Sequence, residues 1–154
     1  MLAAVLAAYR VLAGRMPRDQ LVSLLRDSFA GQFRDVVRDG TARWLDTVED
    51  PFTAMVDLSK SRERLSFGAG FQFEHERDDR QAYLLNVRGC FYHNFFAANG
   101  APELTPVFCD FDLGWIEAID PGRHGLRFER ATTIGYGGEM CPFHFFRLER
   151  QERA

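Results

Sequence analysis

Three cysteines are the residues of this sequence whose type and spacing are best suited to chemistry. Cys90 and Cys109 lie in the stretch 86–112, and Cys141 lies in the last segment that reads as a strand. Thiols can act as nucleophiles, acids or metal ligands. A fold that returns the segment around Cys141 to the stretch 86–112 would bring all three into one site. The odd number of cysteines, without the spacing of a small disulfide-linked domain, favours reduced thiols and a cytoplasmic protein.

A histidine and an acid stand one helical turn from the first two thiols. His93 follows Cys90, and Asp112 follows Cys109, each by three residues, which places each pair on one side of a helix. His93 and Asp112 could supply a base and the acid that orients it. Cys90 would lie in the first turn of its helix, where the dipole lowers the pKa of a thiol. The sequence therefore predicts Cys90 as the reactive thiol, against the alternative that each cysteine is a buried apolar residue.

The same residues also allow a metal site. Two residues separate Cys90 from His93, and two separate Cys141 from His144; thiolate and imidazole are ligands that zinc prefers. Positions 141 and 144 are an odd number apart, however, so in a regular strand their side chains point to opposite faces. The spacing therefore favours a thiol site with no metal and no cofactor.

Arg130 is a candidate for binding an anion. It alternates with Leu126 and Phe128, which predicts that its side chain faces inward with theirs. An inward arginine either pairs with a buried acid or receives an anionic group, such as a substrate carboxylate, through two parallel hydrogen bonds. Both interpretations are open at the level of the sequence.

The elements that must position these residues begin with a helical lead-in, residues 1–60. Its apolar residues recur at helical spacing, and glycines and prolines mark the expected helix ends. The predicted helices span residues 2–13 and 17–39, the second ended by Gly40, with further helical segments after Thr41 and after Asp50-Pro51.

From Leu65 onward the apolar residues alternate, which is typical of strands with one buried face. The predicted strands cover residues 65–75, 81–89, 125–134 and 139–148, and the predicted helices between them cover residues 90–99 and 105–119. The sequence thus predicts one α+β domain, residues 1–154, in which N-terminal helices precede an antiparallel sheet of about four strands with a central helical pair packed on it. Residues 61–154 would hold the sheet and the cysteine site.

The composition limits the kinds of molecule that this protein is expected to bind. Hydrophobic residues make up 46% of the chain and charged residues 27%, which is ordinary for a globular protein. A formal charge of -3 without a basic block argues against nucleic acid, and no apolar run reaches the ~20 residues of a membrane-spanning helix. Fifteen phenylalanines suggest a core or pocket lined by aromatic rings. The expected partner is a small molecule, and a homo-oligomer is compatible with the sequence.

The order of the chemically distinctive residues points to a family. The pattern consists of three cysteines, with Gly-x-Pro-Glu-Leu between the first two, and an arginine and a threonine three residues apart before the third. Its positions are Cys90, Tyr92, Phe96, Gly100, Pro102, Glu103, Leu104, Cys109, Asp112, Arg130, Thr133, Gly138, Cys141 and Phe143. In these residues the C-terminal half, from the second strand to the end, resembles the L-2-amino-thiazoline-4-carboxylic acid hydrolase family.

The resemblance implies a hydrolase of a small heterocycle that uses neither metal nor cofactor. In the named reaction, water adds to the C2 carbon of the thiazoline and the ring C–S bond opens to give N-carbamoyl-L-cysteine. The implied roles are nucleophile or acid for Cys90, Cys109 or Cys141, base or orienting group for Asp112, carboxylate clamp for Arg130, and hydrogen-bonding wall for Thr133 and Tyr92. The competing hypothesis is a non-enzymatic domain that binds a small ligand in a Phe-rich cavity, or a metal, and whose cysteines are structural.

Overall fold

Helices occupy the first part of the chain, as the apolar spacing predicts. The structure, a computed structural model, describes residues 1–148; residues 149–154 of the predicted domain lie outside the described residues. The helices are α1 (Leu2–Leu12), α2 (Arg18–Arg26), α3 (Gln32–Thr47), α4 (Pro51–Arg62), α5 (Phe91–Ala98), α6 (Thr105–Cys109), α7 (Leu113–Glu117) and α8 (Pro121–His124). Asp50 caps α4, because its Oδ1 accepts a hydrogen bond from the Thr53 N–H at 3.2 Å and Pro51 takes the first helical position.

The predicted helix end at Gly40 is wrong. A π-helical turn, Asp27–Gly31, joins α2 to α3, and α3 then continues through Gly40 to Thr47. A glycine within a helix costs about 1 kcal/mol relative to alanine. Packing of α3 against α7 and burial of Leu45 outweigh that local preference.

The strands form one antiparallel sheet within residues 1–148, as predicted. They are β1 (Gln72–Asp78), β2 (Ala82–Gly89), β3 (Leu126–Glu129) and β4 (Cys141–Arg147), arranged in the order β1-β2-β4-β3. Val87 of β2 pairs with Cys141 of β4, and Leu85 pairs with Phe143. Alternation along β4 therefore turns Cys141 and Phe143 towards the same face of the sheet.

Two of the predicted strands are too long. The segment 65–70 belongs to a π-helical turn, Glu63–Phe67, and a 3-10 turn, Gly68–Gly70, rather than to β1. Of the alternating apolar residues there, Phe67 lines a cavity whereas Leu65 is 82% exposed, and Gly68 takes a positive φ of 62° that a strand would not contain. At the other end of the sheet, β3 stops at Glu129. The backbone N–H of Ile134 donates to the Cys141 thiol instead of to a neighbouring strand.

The predicted central helical pair is present, but its second helix is divided into shorter segments. α5 matches its predicted span closely, whereas the second helix divides into α6, a 3-10 turn at Asp110–Asp112, and α7. α5 and α6 pack with α1 and α2 around Phe96, Leu104 and Val107. Among residues 1–148, no helix combines the length and the apolar character needed to cross a bilayer.

Candidate active site

A cavity of about 310 Å³ lies between the sheet and helices α4, α5, α6 and α7. Most of its wall is apolar, and phenylalanines are the most numerous lining residues. The structure brings to this wall all of the residues predicted for the site except His93. They are Cys90, Cys109, Cys141, Asp112, Arg130, Thr133 and Tyr92. The three cysteines are unpaired.

Cys141 reaches the cavity through the alternation of β4. Phe143 and Phe145 follow it on the same face and also line the cavity. The Cys141 Sγ accepts a hydrogen bond from the Ile134 N–H at 3.1 Å. Burial raises the pKa of Cys141 to about 11, with a further contribution from the neighbouring thiols Cys109 and Cys90. At neutral pH this group is a thiol and not a thiolate.

Cys109 ends α6 and contacts the loop that follows β3. Its Sγ accepts a hydrogen bond from the Thr133 Oγ1 at 3.2 Å. A Cβ on Gly135 would lie 2.7 Å from this sulfur, so the loop can pass the thiol closely only with glycine at that position. Burial raises the pKa of Cys109 above its ordinary value, although the Thr133 hydrogen bond opposes the shift.

Cys90 precedes α5 as its N-cap residue. The backbone N–H groups of His93 and Tyr92 favour its thiolate, as a helix N-terminus should. Burial of the thiol is the larger effect, however, and the pKa of Cys90 is raised. The direction is opposite to the one predicted from the sequence, because helix position alone carries no information about how far the group is removed from water.

Asp112 and Arg130 form an ion pair on the cavity wall. The Arg130 Nη1 donates to the Asp112 Oδ2 at 3.1 Å and to the carbonyl oxygen of Cys109 at 3.2 Å. The Trp115 Nε1 donates to the other carboxylate oxygen, Oδ1, at 2.9 Å. Burial nevertheless raises the pKa of Asp112, outweighing both of these donors. A carboxyl with a raised pKa holds a proton more readily, which suits it to proton transfer.

The guanidinium of Arg130 retains hydrogen-bonding capacity for a ligand. Its side chain is only 8% exposed, and its Nε and Nη2 make no hydrogen bond to residues 1–148. No fully buried side-chain nitrogen or oxygen in this part of the chain lacks a partner, so these two donors are not fully buried, and Arg130 is one of the residues that line the cavity. Arg130 thus pairs with an acid, as one of the two sequence interpretations predicts, and it also lines the cavity; binding of an anion by Arg130 stays a prediction.

Thr133 and Tyr92, which were predicted to form a hydrogen-bonding wall, make other contacts than expected. Thr133 is buried, and its hydroxyl donates a hydrogen bond to the Cys109 Sγ. Tyr92 contributes its ring, which meets Phe71 edge-on at a centroid distance of 5.1 Å and packs on Phe108 at 5.1 Å. Thr133 thus orients a thiol, and Tyr92 belongs to the apolar part of the wall.

The histidines lie away from the cavity. The His93 Nδ1 is 3.2 Å from the Thr105 Oγ1, and the His144 Nε2 is 2.9 Å from the Asn86 Oδ1 on the opposite face of the sheet from Cys141. The odd spacing of positions 141 and 144 predicts that separation. Within the described residues 1–148, no group of three His, Cys, Asp or Glu side chains is placed to hold a metal ion.

Trp115 is the site residue that the sequence analysis missed. Its indole holds Asp112, and its ring packs on Phe128 at 4.8 Å and stacks on Phe145 at 6.2 Å. The spacing Asp112-x-x-Trp115, one helical turn, was the available signal.

A family model described as L-2-amino-thiazoline-4-carboxylic acid hydrolase matches residues 1–145. The chain belongs to this family. The match includes the N-terminal helices as well as the C-terminal half that carries the resemblance. Neither a curated protein nor a solved structure matches the chain.

Proposed function

We propose that this family member is a hydrolase that opens a small heterocycle of the 2-amino-thiazoline-4-carboxylate type. The family description supports hydrolysis of such a ring. The observation that carries the proposal is the placement of Arg130, whose guanidinium is nearly buried and keeps free donors beside the Asp112 carboxyl and three thiols. This arrangement suits a substrate that presents a carboxylate and a ring to be attacked.

Arg130 binds the substrate carboxylate in this proposal. A guanidinium stays protonated at any physiological pH and offers two parallel N–H groups to a carboxylate. Its Nη1 is already held by Asp112 and by the Cys109 carbonyl, so the orientation of the remaining donors is set before the substrate arrives. Such preorganisation reduces the entropy lost on binding.

Asp112 acts as the general base. It removes a proton from a water molecule as the water oxygen bonds to the ring carbon C2, and the C2–S bond then breaks. The water oxygen becomes the carbonyl oxygen of the N-carbamoyl product, and the two water protons end on the ring nitrogen and on the departing sulfur. The raised pKa of Asp112 allows one carboxyl to take a proton and return it during the same cycle.

The thiols act as protonated groups beside the ring. Burial raises the pKa of Cys90, Cys109 and Cys141, which disfavours a thiolate nucleophile in the resting site. We assign them as hydrogen-bond donors to the departing sulfur. Thr133 and the Ile134 N–H fix two of them in orientation.

The test is incubation of the purified protein with L-2-amino-thiazoline-4-carboxylate. A new free thiol and a product heavier by one water molecule are expected, and the variant Asp112→Asn serves as the inactive control. Absence of both signals under conditions where the wild-type protein is folded would reject ring hydrolysis of this substrate.

The apolar wall favours a second candidate, a domain that binds a small ligand without converting it. Most of the cavity lining carries no group that could react. Binding of a ring acid by calorimetry, with no product formed over long incubation, would support this reading over the hydrolase. A stoichiometric metal ion in protein purified without added metal would instead support the metal-binding version of this candidate.

A further inference from the structure

A set of aromatic side chains, which we call the aromatic wall, lines the cavity away from Arg130. It consists of Phe67, Phe71, Phe73 and Tyr92. Phe71 occupies its centre, with its ring centroid 4.9 Å from that of Phe67, stacked on Phe73 at 6.1 Å, and edge-on to Tyr92 at 5.1 Å. These rings leave a continuous apolar surface on the cavity side.

Phe73 of the aromatic wall and the carboxylate clamp belong to opposite edges of the sheet. Phe73 lies on β1, Arg130 follows β3, and the order β1-β2-β4-β3 places two strands between them. Neighbouring strands are ~4.8 Å apart, so the backbones of the two edges are separated by roughly 14 Å. A carboxylate bound by Arg130 and a group packed on Phe73 therefore occupy different ends of the cavity.

The volume of the cavity leads to the same conclusion. At about 310 Å³ it falls within the ~300 to 1,000 Å³ of sites that bind drug-sized ligands. A bare thiazoline carboxylate would leave the aromatic wall in contact with water or empty space, and burial of such apolar surface is favourable.

One charged residue near the aromatic wall, Glu63, is already engaged and offers no site for a polar substituent. Glu63 lines the cavity, but its carboxylate accepts hydrogen bonds from the Tyr83 hydroxyl and from the His75 Nε2, the latter at 2.8 Å. Arg62 also lines the cavity and is exposed, and its charge favours the ionised form of Asp112. The rest of the lining near these residues is mostly apolar.

We propose that the substrate is a ring acid that carries a flat apolar substituent, and that this substituent binds against the aromatic wall while the carboxylate binds Arg130. The inference rests on the proposed function for the carboxylate end and adds the class of substrate. Aromatic groups suit this surface because ring pairs prefer the offset and edge-on contacts that Phe71 already makes.

Calorimetry with two inert acids tests the binding mode without any turnover. 3-Phenylpropionate and propionate share the carboxylate and differ in the phenyl ring. Burial of that ring should make 3-phenylpropionate bind about 10- to 100-fold more tightly. Equal affinities for the two acids would overturn the proposal.

The variant Phe71→Ala locates the binding surface, with Phe146→Ala as its matched control. Both phenylalanines are half-buried, but Phe146 lies outside the cavity lining, with its ring beneath the Arg127 guanidinium. The phenyl advantage should fall by about tenfold in Phe71→Ala and stay unchanged in Phe146→Ala. If Phe71→Ala does not fold, Phe71→Leu keeps most of the volume and should lose part of the advantage. A folded Phe71 variant with the full advantage would contradict the proposal.

Turnover assays separate failure of this inference from failure of the proposed function. Hydrolysis of 2-amino-thiazoline-4-carboxylate with no phenyl advantage in binding would leave the hydrolase standing and reject the substrate class. A phenyl advantage that depends on Phe71, without hydrolysis of any thiazoline acid, would support the apolar binding surface and reject the hydrolase.

Discussion

The two parts of the cavity wall are built in different ways. Around Asp112, hydrogen bonds from Trp115 and Arg130 at 2.9 and 3.1 Å set the direction of each carboxylate oxygen. Around Phe71, ring contacts at centroid distances of 4.9 to 6.1 Å fill space without directing any polar atom. Hydrogen bonds weaken steeply when their angle changes, whereas apolar packing tolerates swaps that conserve volume. The polar part should therefore govern rate, and the aromatic part should govern which substrate binds.

The variant Asp112→Asn should have the largest effect. It keeps the shape and an oxygen for the Trp115 indole but removes the base, so kcat should fall by about 10²- to 10⁴-fold. Thermal unfolding of the variant provides the folding control. An unchanged kcat would show that another residue is the base. It would also contradict the expectation that the polar part of the wall governs the rate.

The thiols should alkylate slowly, because burial raises their pKa. In variants that retain a single cysteine, each thiol should titrate above the ~8.5 of free cysteine. Cys141, whose pKa is raised to about 11, should have the smallest thiolate fraction, lower at pH ~8 than that of free cysteine by on the order of 100-fold. Alkylation rates measured between pH ~7 and ~10 provide the test. A thiol with a pKa below that of free cysteine would restore the nucleophilic role, with Cys90 the first candidate.

The variant Arg130→Lys should weaken substrate binding. Lysine keeps the charge but loses the two-pronged geometry, and a hydrogen bond to a charged group contributes about 1.5–3 kcal/mol, so KM should rise roughly 10- to 100-fold. Arg127→Lys is the matched control, since Arg127 packs on Phe146 outside the cavity lining. Equal kinetics for Arg130→Lys and the wild type would show that Arg130 does not bind the substrate carboxylate through two parallel hydrogen bonds.

The variant Gly135→Ala should disturb the polar part through packing. Its new Cβ would stand 2.7 Å from the Cys109 Sγ and 2.9 Å from the Thr105 Cγ2, and overpacking of this kind costs about 1–3 kcal/mol. Chemical denaturation measures the loss. Gly40→Ala is the control, because nothing lies within 4 Å of its new Cβ and alanine is favoured in a helix. Equal stability of the two variants would mean that the loop around Gly135 yields without strain.

The variant Trp115→Phe should give the smallest and most specific change. It keeps a ring against Phe128 but removes the donor that lowers the pKa of Asp112, so that pKa should rise further. A base must be deprotonated, so activity is lost as pH falls through its pKa, and the acidic limb of kcat against pH should move to higher pH. Phe128→Leu alters the packing alone and should leave the limb in place. A shift of equal size in both variants would assign the effect to packing.

Local patterns accounted for much of this fold and for part of the site. The helical period in residues 1–60 and the alternation in β2 and β4 depend on neighbouring residues, so they could be read directly. Parity along β4 predicted that Cys141 and His144 face apart, and alternation predicted that Arg130 faces inward. The prediction of a strand at residues 65–70 is wrong because Leu65, Phe67 and Ala69 alternate in sequence without sharing a buried face: Phe67 lines the cavity and Leu65 is exposed.

The sequence by itself determined the α+β class, the family, and the residue types available for a thiol and arginine site. Only the tertiary structure decided which of them meet: it placed His93 against Thr105, joined Trp115 to Asp112, and passed Gly135 beside Cys109. It also reversed the expected direction of the Cys90 pKa. Helix position acts through a few adjacent N–H groups, whereas desolvation depends on every element that packs around the thiol.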